Sequence, residues 1–294
     1  MVLVDYVVES CLPEMEEAIT TPVKNKIEAK GIHFGYGDVR ILNDININVQ
    51  EGEFLVLMGP SGCGKSTFLR LIAGLEQPSD GDITIDDVSL KTKAPDCGVV
   101  FQDYSLFPWL TARSNIVLAL KQKLKKSKKK QDIQQLADDY LKLVKLGNAI
   151  TKYPGQMSGG MKQRAAIARA LAYGSDLLLM DEPFGALDPV TRIQLQDLML
   201  QISREQKRTI VFVTHDADEA IYLADRIIMF GLGKEGAVTT SLDVPFNRKT
   251  TNRKKLFASE EFLTFRDKVY EVMNKEIFNQ IDETSLVTAD GAGI

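Results

Sequence analysis

Cysteine is scarce in this chain, with three among 294 residues, at Cys11, Cys63 and Cys97. An odd number at such wide spacing forms neither a disulfide framework nor a metal-ligand pattern, and it suits a reducing compartment. Long apolar runs are missing as well. The longest, such as Phe54 to Met58, has five residues, whereas a helix that crosses a bilayer needs about 20. The opening stretch MVLVDYVVESC has no basic flank and carries Asp5 and Glu9 where a leader needs apolar residues, so export is not expected. Nor is there an excess of positive charge. Lys and Arg number 36 against 40 Asp and Glu, and a net charge of -4 offers no general attraction to nucleic acid, which is therefore not an expected partner. What remains is 44% hydrophobic and 26% charged residues, the balance of a globular protein with length for roughly two domains.

Along the chain the patterning changes character several times. Residues 1–24 mix Pro13, Pro22 and acidic side chains without sustained periodicity and read as an N-terminal extension. Apolar and polar residues alternate from Lys26 to Phe34 and from Ile45 to Met58, as strands do, with glycine-containing breaks at Gly35-Tyr36-Gly37 and Glu51-Gly52. A helix is expected from Lys65 to Ala73, stopped by Gly74. Spacing at threes and fours dominates from Leu106 to Tyr173, so helices separate two sheet-forming regions. Leu177 to Met180 and Ile210 to Val213 are short continuous apolar runs, as buried parallel strands show, with the amphipathic stretch Thr191 to Gln206 between them. Strand, crossover helix, strand is the order of an α/β sheet. Beyond Arg248 the sequence is charged and mildly amphipathic, and it fades from Val287 into an expected disordered end.

Two segments carry chemistry in their residue types alone. Gly59-Pro60-Ser61-Gly62-Cys63-Gly64-Lys65-Ser66, followed by Thr67, fits G-x-x-x-x-G-K-[ST] between a strand and a helix. Glycines there let backbone N–H groups point inward around a phosphate, and the helix N-terminus adds partial positive charge. Lys65 is assigned to β- and γ-phosphates and the Ser66 hydroxyl to Mg²⁺. Cys63, two residues before that lysine, is expected to favour its thiolate. The second segment, Leu177 to Glu182, ends an apolar strand in two adjacent carboxylates, which are costly there unless they face charge. In a P-loop enzyme Asp181 would help hold Mg²⁺, and Glu182 would orient and deprotonate the attacking water.

A third segment makes a resemblance specific. Met157-Ser158-Gly159-Gly160-Met161-Lys162-Gln163-Arg164 is similar to the LSGGQ signature of ATP-binding cassette (ABC) ATPases. Other segments of that family follow in order over about Lys26 to Asn247. Tyr36 resembles the aromatic that stacks on adenine, with Phe34 as its competitor. Gln102 resembles the Q-loop glutamine, a catalytic group and a third Mg²⁺ ligand beside Ser66 and Asp181. Gly185-Ala186-Leu187-Asp188 resembles the D-loop, which places Asp188 among the ATP-contacting residues, and His215 resembles the switch histidine. Met157 departs from the usual Leu and Met161 from the usual Gln. The Ser158-Gly159-Gly160 core, whose hydroxyl and amides an anion would meet, is intact.

The resemblance implies a P-loop α/β core with an antiparallel β portion near its N-terminus. It also implies a cassette over residues 25–247, a helical subdomain at about 103–172, and a helical extension with a flexible tail over 248–294. ATP and Mg²⁺ are the implied ligands. The implied assembly pairs the chain with a second ATPase subunit, a homodimer or a related cassette, in which Ser158 of one copy seals the ATP on the other. Transmembrane permease subunits complete it at the cytoplasmic face of the plasma membrane, and an extracellular or periplasmic solute-binding protein acts indirectly. Phe107-Pro108-Trp109-Leu110-Thr111 is similar to the importer branch for nitrate, sulfonates, taurine or bicarbonate; its aromatics would either pack in the core or line the groove for a permease helix. An exporter, a lipoprotein-release motor and a soluble non-transport ABC ATPase are the competing readings. Seven lysines between Lys121 and Lys130 read as a solvated face, with anionic lipid as the sharper alternative.

Overall fold

In the computed structural model, residues 24–123, 130–233, 236–246 and 253–289 are described. The N-terminal extension up to Val23, most of the lysine run and the last five residues lie outside them. The described residues fall into two compact units, one of 96–210 and one of 24–95 with 211–289.

Sheet dominates the second unit. Its strands are β1 (Asn25–Tyr36), β2 (Val39–Gln50), β3 (Phe54–Met58), β4 (Asp80–Ile85), β5 (Val88–Ser89), β8 (Thr209–Val213), β9 (Arg226–Gly233) and β10 (Gly236–Asp243). They lie in the order β5-β4-β1-β2-β10-β9-β3-β8, with only the Val211–Val213 part of β8 inside this unit. β1 and β2 form an antiparallel hairpin that pairs Ile27 with Val49 and Tyr36 with Val39. Ile45, Ile47 and Val49 alternate inward along β2, the period that half-buried strands follow. β3 departs from the alternation read over Ile45 to Met58, since all five of its residues are buried. It pairs in parallel with β9, from Leu55 opposite Arg226 to Met58 opposite Met229, and such interior strands are apolar on both faces. After β3 comes helix α1 (Lys65–Ile72), capped at Ala73 and closed by Gly74 at φ 68°. Its Phe68 ring is buried against Phe230 of β9 at 5.8 Å. Full burial of such a ring stabilises by roughly 1.5–3 kcal/mol, enough to anchor the helix to the sheet.

The first unit is mainly helical. α2 (Ala112–Lys123) and α3 (Lys130–Leu143) both pack against α4 (Gly159–Tyr173), whose Ala165, Ala166, Ala168 and Ala170 allow close approach. Arg113 of α2 forks onto Asp138 of α3, Nε to Oδ1 at 2.6 Å and an Nη to Oδ2 at 2.7 Å. Beside the helices, β6 (Gly98–Val100) and β7 (Leu177–Asp181) pair in parallel, and α5 (Pro189–Glu205) follows β7. The protein is thus a mixed α/β chain, as expected.

The C-terminal segment contributes α7 (Arg253–Phe257) and α8 (Glu260–Ala289) to the second unit. α8 continues to Ala289, so the expected disordered start at Val287 is corrected to helix through that residue. Among the described residues no helix is long and apolar enough to cross a membrane.

Candidate functional site

Phosphate-loop geometry follows from three glycines with left-handed backbones. Gly59 has φ 137°, and a Cβ on it would stand 2.1 Å from the Phe230 carbonyl oxygen. Gly64, at φ 95°, precedes α1, and no side chain caps that helix. Gly62, at φ 84°, faces open space. Only glycine adopts these angles at little cost, and turns of this kind are what a backbone phosphate cradle requires.

Lys65 is folded into this loop. Its buried ammonium donates to the carbonyl oxygens of Gly59 at 2.8 Å and Pro60 at 2.7 Å, and it lies 3.4 Å from Cys63 Sγ. Cys63 itself is fully buried, and burial pushes its thiol pKa up despite the attraction of Lys65. The expectation of a favoured thiolate is therefore corrected, because desolvation of the charged form outweighs a single neighbouring cation. Ser61 is exposed, while Ser66 and Thr67 are half-buried at the start of α1.

Two further expected residues lie in the same unit. Tyr36, at the end of β1, is 48% exposed and stands edge-on to Phe34 at 5.0 Å. Phe34 is buried, so of the two rings only Tyr36 offers a face to a ligand. His215 is exposed just beyond β8, where the Thr214 amide donates to the Leu57 carbonyl at 3.2 Å. It thus leaves the sheet beside the strand that carries the phosphate loop. Asp216 caps α6 (Ala217–Leu223) by accepting from the Glu219 amide at 3.0 Å, which fixes the backbone on the far side of the histidine.

The other expected residues lie in the first unit. β6 and β7 pair in register up to Val100 and Met180, so Gln102 and Glu182 both come two residues past the last pair. Gln102 is exposed, Asp181 is buried and Glu182 is half-buried with a left-handed backbone, φ 47°. Ser158 caps the fifteen-residue α4 by accepting from the Met161 amide at 3.3 Å, and it is exposed at the positive end of that helix. Met157 is buried, which explains why one apolar side chain can stand there for another. Asp188 caps α5 by accepting from Thr191, and those hydrogen bonds hold its carboxyl below the usual carboxylate range.

Two side chains with structural work here were not singled out by sequence reasoning. Gln163 is buried; its amide donates to the Glu182 carbonyl at 2.8 Å and its oxygen accepts from the Ala186 amide at 3.0 Å. Asn115, fully buried on α2, accepts from the Phe107 amide at 2.9 Å and donates to the carbonyl of Thr111 at 3.0 Å. It shapes the loop that leaves Trp109 69% exposed and Phe107 36% exposed, so these aromatics are not core. The available signal was a polar side chain on the inner face of each helical pattern, which must be hydrogen-bonded to be buried.

Among the described residues no cluster of three or more His, Cys, Asp or Glu could hold a metal. Of the residues expected to hold Mg²⁺, Ser66 lies in the second unit and Gln102 and Asp181 in the first. A hydroxyl, an amide oxygen and a carboxylate are each hard oxygen donors of the kind Mg²⁺ takes.

The ABC transporter family matches residues 42–185. The bicarbonate transport ATP-binding protein CmpC of Synechococcus elongatus is 49% identical over 217 residues, 73% of this chain and 33% of that protein. The chain thus spans about a third of that relative's length. The nitrate import ATP-binding protein NrtD of the same organism is 46% identical over 207 residues, covering 70% of this chain and 75% of that one. Among solved structures, the dimeric post-hydrolysis state of the ATP-binding cassette MJ0796 bound to ADP and phosphate has a TM-score of 0.69. It is 34% identical and covers 75% of this chain and all of the other. With these likenesses and the residues that bear them, the chain belongs to the ATP-binding proteins of the ABC transporter family.

Proposed function

We propose that this chain is the ATP-binding and ATP-hydrolysing subunit of an importer for a small anion such as nitrate, bicarbonate, taurine or another sulfonate. The observation that carries the reading is the buried Lys65 ammonium, held by backbone carbonyls inside a three-glycine turn at the mouth of an apolar strand. Placing a charge there has a rationale if an anion is its working partner. Lys65 and the loop amides from Gly59 to Thr67 then hold the phosphates, while Tyr36 takes the adenine face. Glu182 orients and deprotonates the attacking water, and His215 hydrogen-bonds the γ-phosphate. Magnesium, when bound, supplies positive charge among the phosphate oxygens, and Ser66, Gln102 and Asp181 are the groups to hold it.

One P-loop leaves an outer face of the γ-phosphate open to water. Ser158, Gly159 and Gly160 of a second copy close it, so ATP is sealed by a dimer and hydrolysis releases the seal. Asp188 belongs to the same shared surface. The exposed Trp109 and Phe107 receive an apolar helix from a permease subunit, which holds the chain at the cytoplasmic face of the plasma membrane. The relatives' names, for bicarbonate transport and nitrate import, support the solute class.

Turnover by purified protein tests the chemistry. Glu182→Gln should retain nucleotide affinity, accumulate an ATP-bound dimer and lose at least about 100-fold in kcat, whereas full-rate hydrolysis by that variant would sink the assignment. His215→Ala should lose turnover more than binding. Recovery with membrane-embedded permease subunits, and loss of nitrate, bicarbonate or sulfonate uptake on deletion, test the transport reading. A purely soluble complex would favour a non-transport ABC ATPase, and impaired efflux would favour an exporter.

A further inference from the structure

The turn after β7 has an unfavourable backbone form, and one buried side chain hydrogen-bonds to both of its ends. Glu182 has φ 47°, a left-handed conformation that is unfavourable for a non-glycine residue and persists only where neighbours enforce it. Gly185 donates its amide to the Glu182 carbonyl at 3.3 Å, and Leu187 donates to Phe184 at 3.2 Å. Phe184 and Leu187 are buried and pin the turn to the unit from within. Gln163 spans the whole of it. One carboxamide donates to the Glu182 carbonyl at the start and accepts from the Ala186 amide at the end.

The same side chain belongs to the signature helix. α4 begins at Gly159, capped by Ser158, and Gln163 stands on it little more than one turn further along. Contact between this helix and the turn is direct, because a Cβ on Gly160 would stand 2.9 Å from the Ala186 carbonyl oxygen. Arg164, next to Gln163, donates to the Lys145 carbonyl at 2.8 Å and feels the charge of Asp188. Signature helix and carboxylate turn are thus fastened together by hydrogen bonds within one compact unit.

We propose that Gln163 is a positioning residue for hydrolysis: it holds the Glu182 turn in its left-handed form and ties that turn to the signature helix of the same chain. A signature that has closed on a partner's nucleotide then also registers the chain's own water-activating carboxylate. The proposal rests on Glu182 being the group that activates water, as argued above.

Gln163→Met keeps length and burial but removes both hydrogen bonds. It should lower kcat by about tenfold while KM for MgATP changes less than about twofold. The variant should also accumulate an ATP-bound dimer in size-exclusion runs with MgATP, which mere loss of stability would not produce. Gln163→Glu keeps the shape and the acceptor for Ala186 while withdrawing the donor from Glu182. The same drop in kcat at unchanged KM is expected from it, even if the Met variant folds poorly. Wild-type turnover in a folded Gln163 variant, or a loss that tracks only the folded fraction in both, would overturn the proposal. A parallel Glu182→Gln control separates the two ideas. If it loses turnover while the Gln163 variants keep theirs, only the positioning role fails; if it hydrolyses at full rate, the reading of Glu182 fails and takes this proposal with it.

Discussion

The ammonium of Lys65 donates to the carbonyl oxygen of Gly59 at 2.8 Å, so the cation of the phosphate loop is bound by the loop that carries it. Carbonyl dipoles are weak partners beside a triphosphate, and a hydrogen bond that involves a charged group is worth about 1.5–3 kcal/mol. Lys65→Ala should therefore weaken ATP binding by about 100-fold or more. Titration with a fluorescent ATP analogue checks this, and affinity within a few-fold of wild type would show that Lys65 is not a phosphate ligand.

Cys63 lies against that same lysine, yet its thiol is fully buried and its pKa is raised by loss of solvent. Reaction with alkylating agents requires the thiolate and access to it, and this site offers neither. Cys97 is likewise pushed up, to about 12, by burial and by the Asp96 charge. At neutral pH iodoacetamide should label neither cysteine in the folded protein, and both should react after denaturation. Mass spectrometry of the labelled peptides decides, and rapid labelling of native Cys63 that ATP suppresses would reverse the assignment.

Local chemistry made part of this legible in the sequence. Strand, glycine turn and helix around Lys65 follow from residue types within a dozen positions, since φ preference, capping and apolar runs act at short range. Where partners are distant, the sequence was silent. The hydrogen bonds of Gln163 reach 19 and 23 positions along the chain, and while a polar side chain on the inner face of a helix signals a need for partners, M-K-Q-R does not say which they are. Burial on both faces of β3 depends on the elements packed across the sheet, α6 among them, so an alternating reading of Ile45 to Met58 was open until those neighbours were known. Cys63 shows the same limit in electrostatics, because proximity to Lys65 is visible in the sequence and desolvation is not.

Asp188 has a structural task that can be separated from any contact with nucleotide. Its side chain accepts from the Thr191 amide at 3.0 Å and caps α5. Because hydrogen bonding holds its folded pKa below the ordinary value, the cap contributes above the ordinary carboxylate range and is lost as pH falls through the folded pKa. Asp188→Ser should keep the cap and the thermal stability at pH 7, whereas Asp188→Ala should lower Tm by a few degrees. The gap between wild type and the Ala variant should close as acid protonates the carboxyl. Turnover lost in both variants at equal stability would assign the carboxylate to the shared ATP surface, and turnover retained by the Ser variant would confine it to capping.

The C-terminal helices are fastened to the second unit by aromatic packing, and that fastening is open to measurement. Phe262 of α8 is fully buried, stacks on Phe257 at 4.5 Å and meets Phe246 at 6.1 Å. Phe257 in turn touches Tyr222 of α6 at 5.6 Å, and the Arg253 guanidinium lies over the Tyr222 ring at 4.1 Å. Removing the central ring leaves a cavity that its neighbours can close only in part, so Phe262→Ala should cost about 3–5 kcal/mol. Phe262→Leu, which keeps most of the volume, should cost less than about 1.5 kcal/mol. Urea unfolding should show a lower midpoint at unchanged slope if the helices melt together with the sheet they cover. A separate early transition in the Ala variant would instead mark α7 and α8 as an independent layer, because a cluster held mainly by contacts among its own rings can open without exposing β9. A midpoint equal to that of the wild type, with no early transition, would mean that Phe262 holds nothing in place.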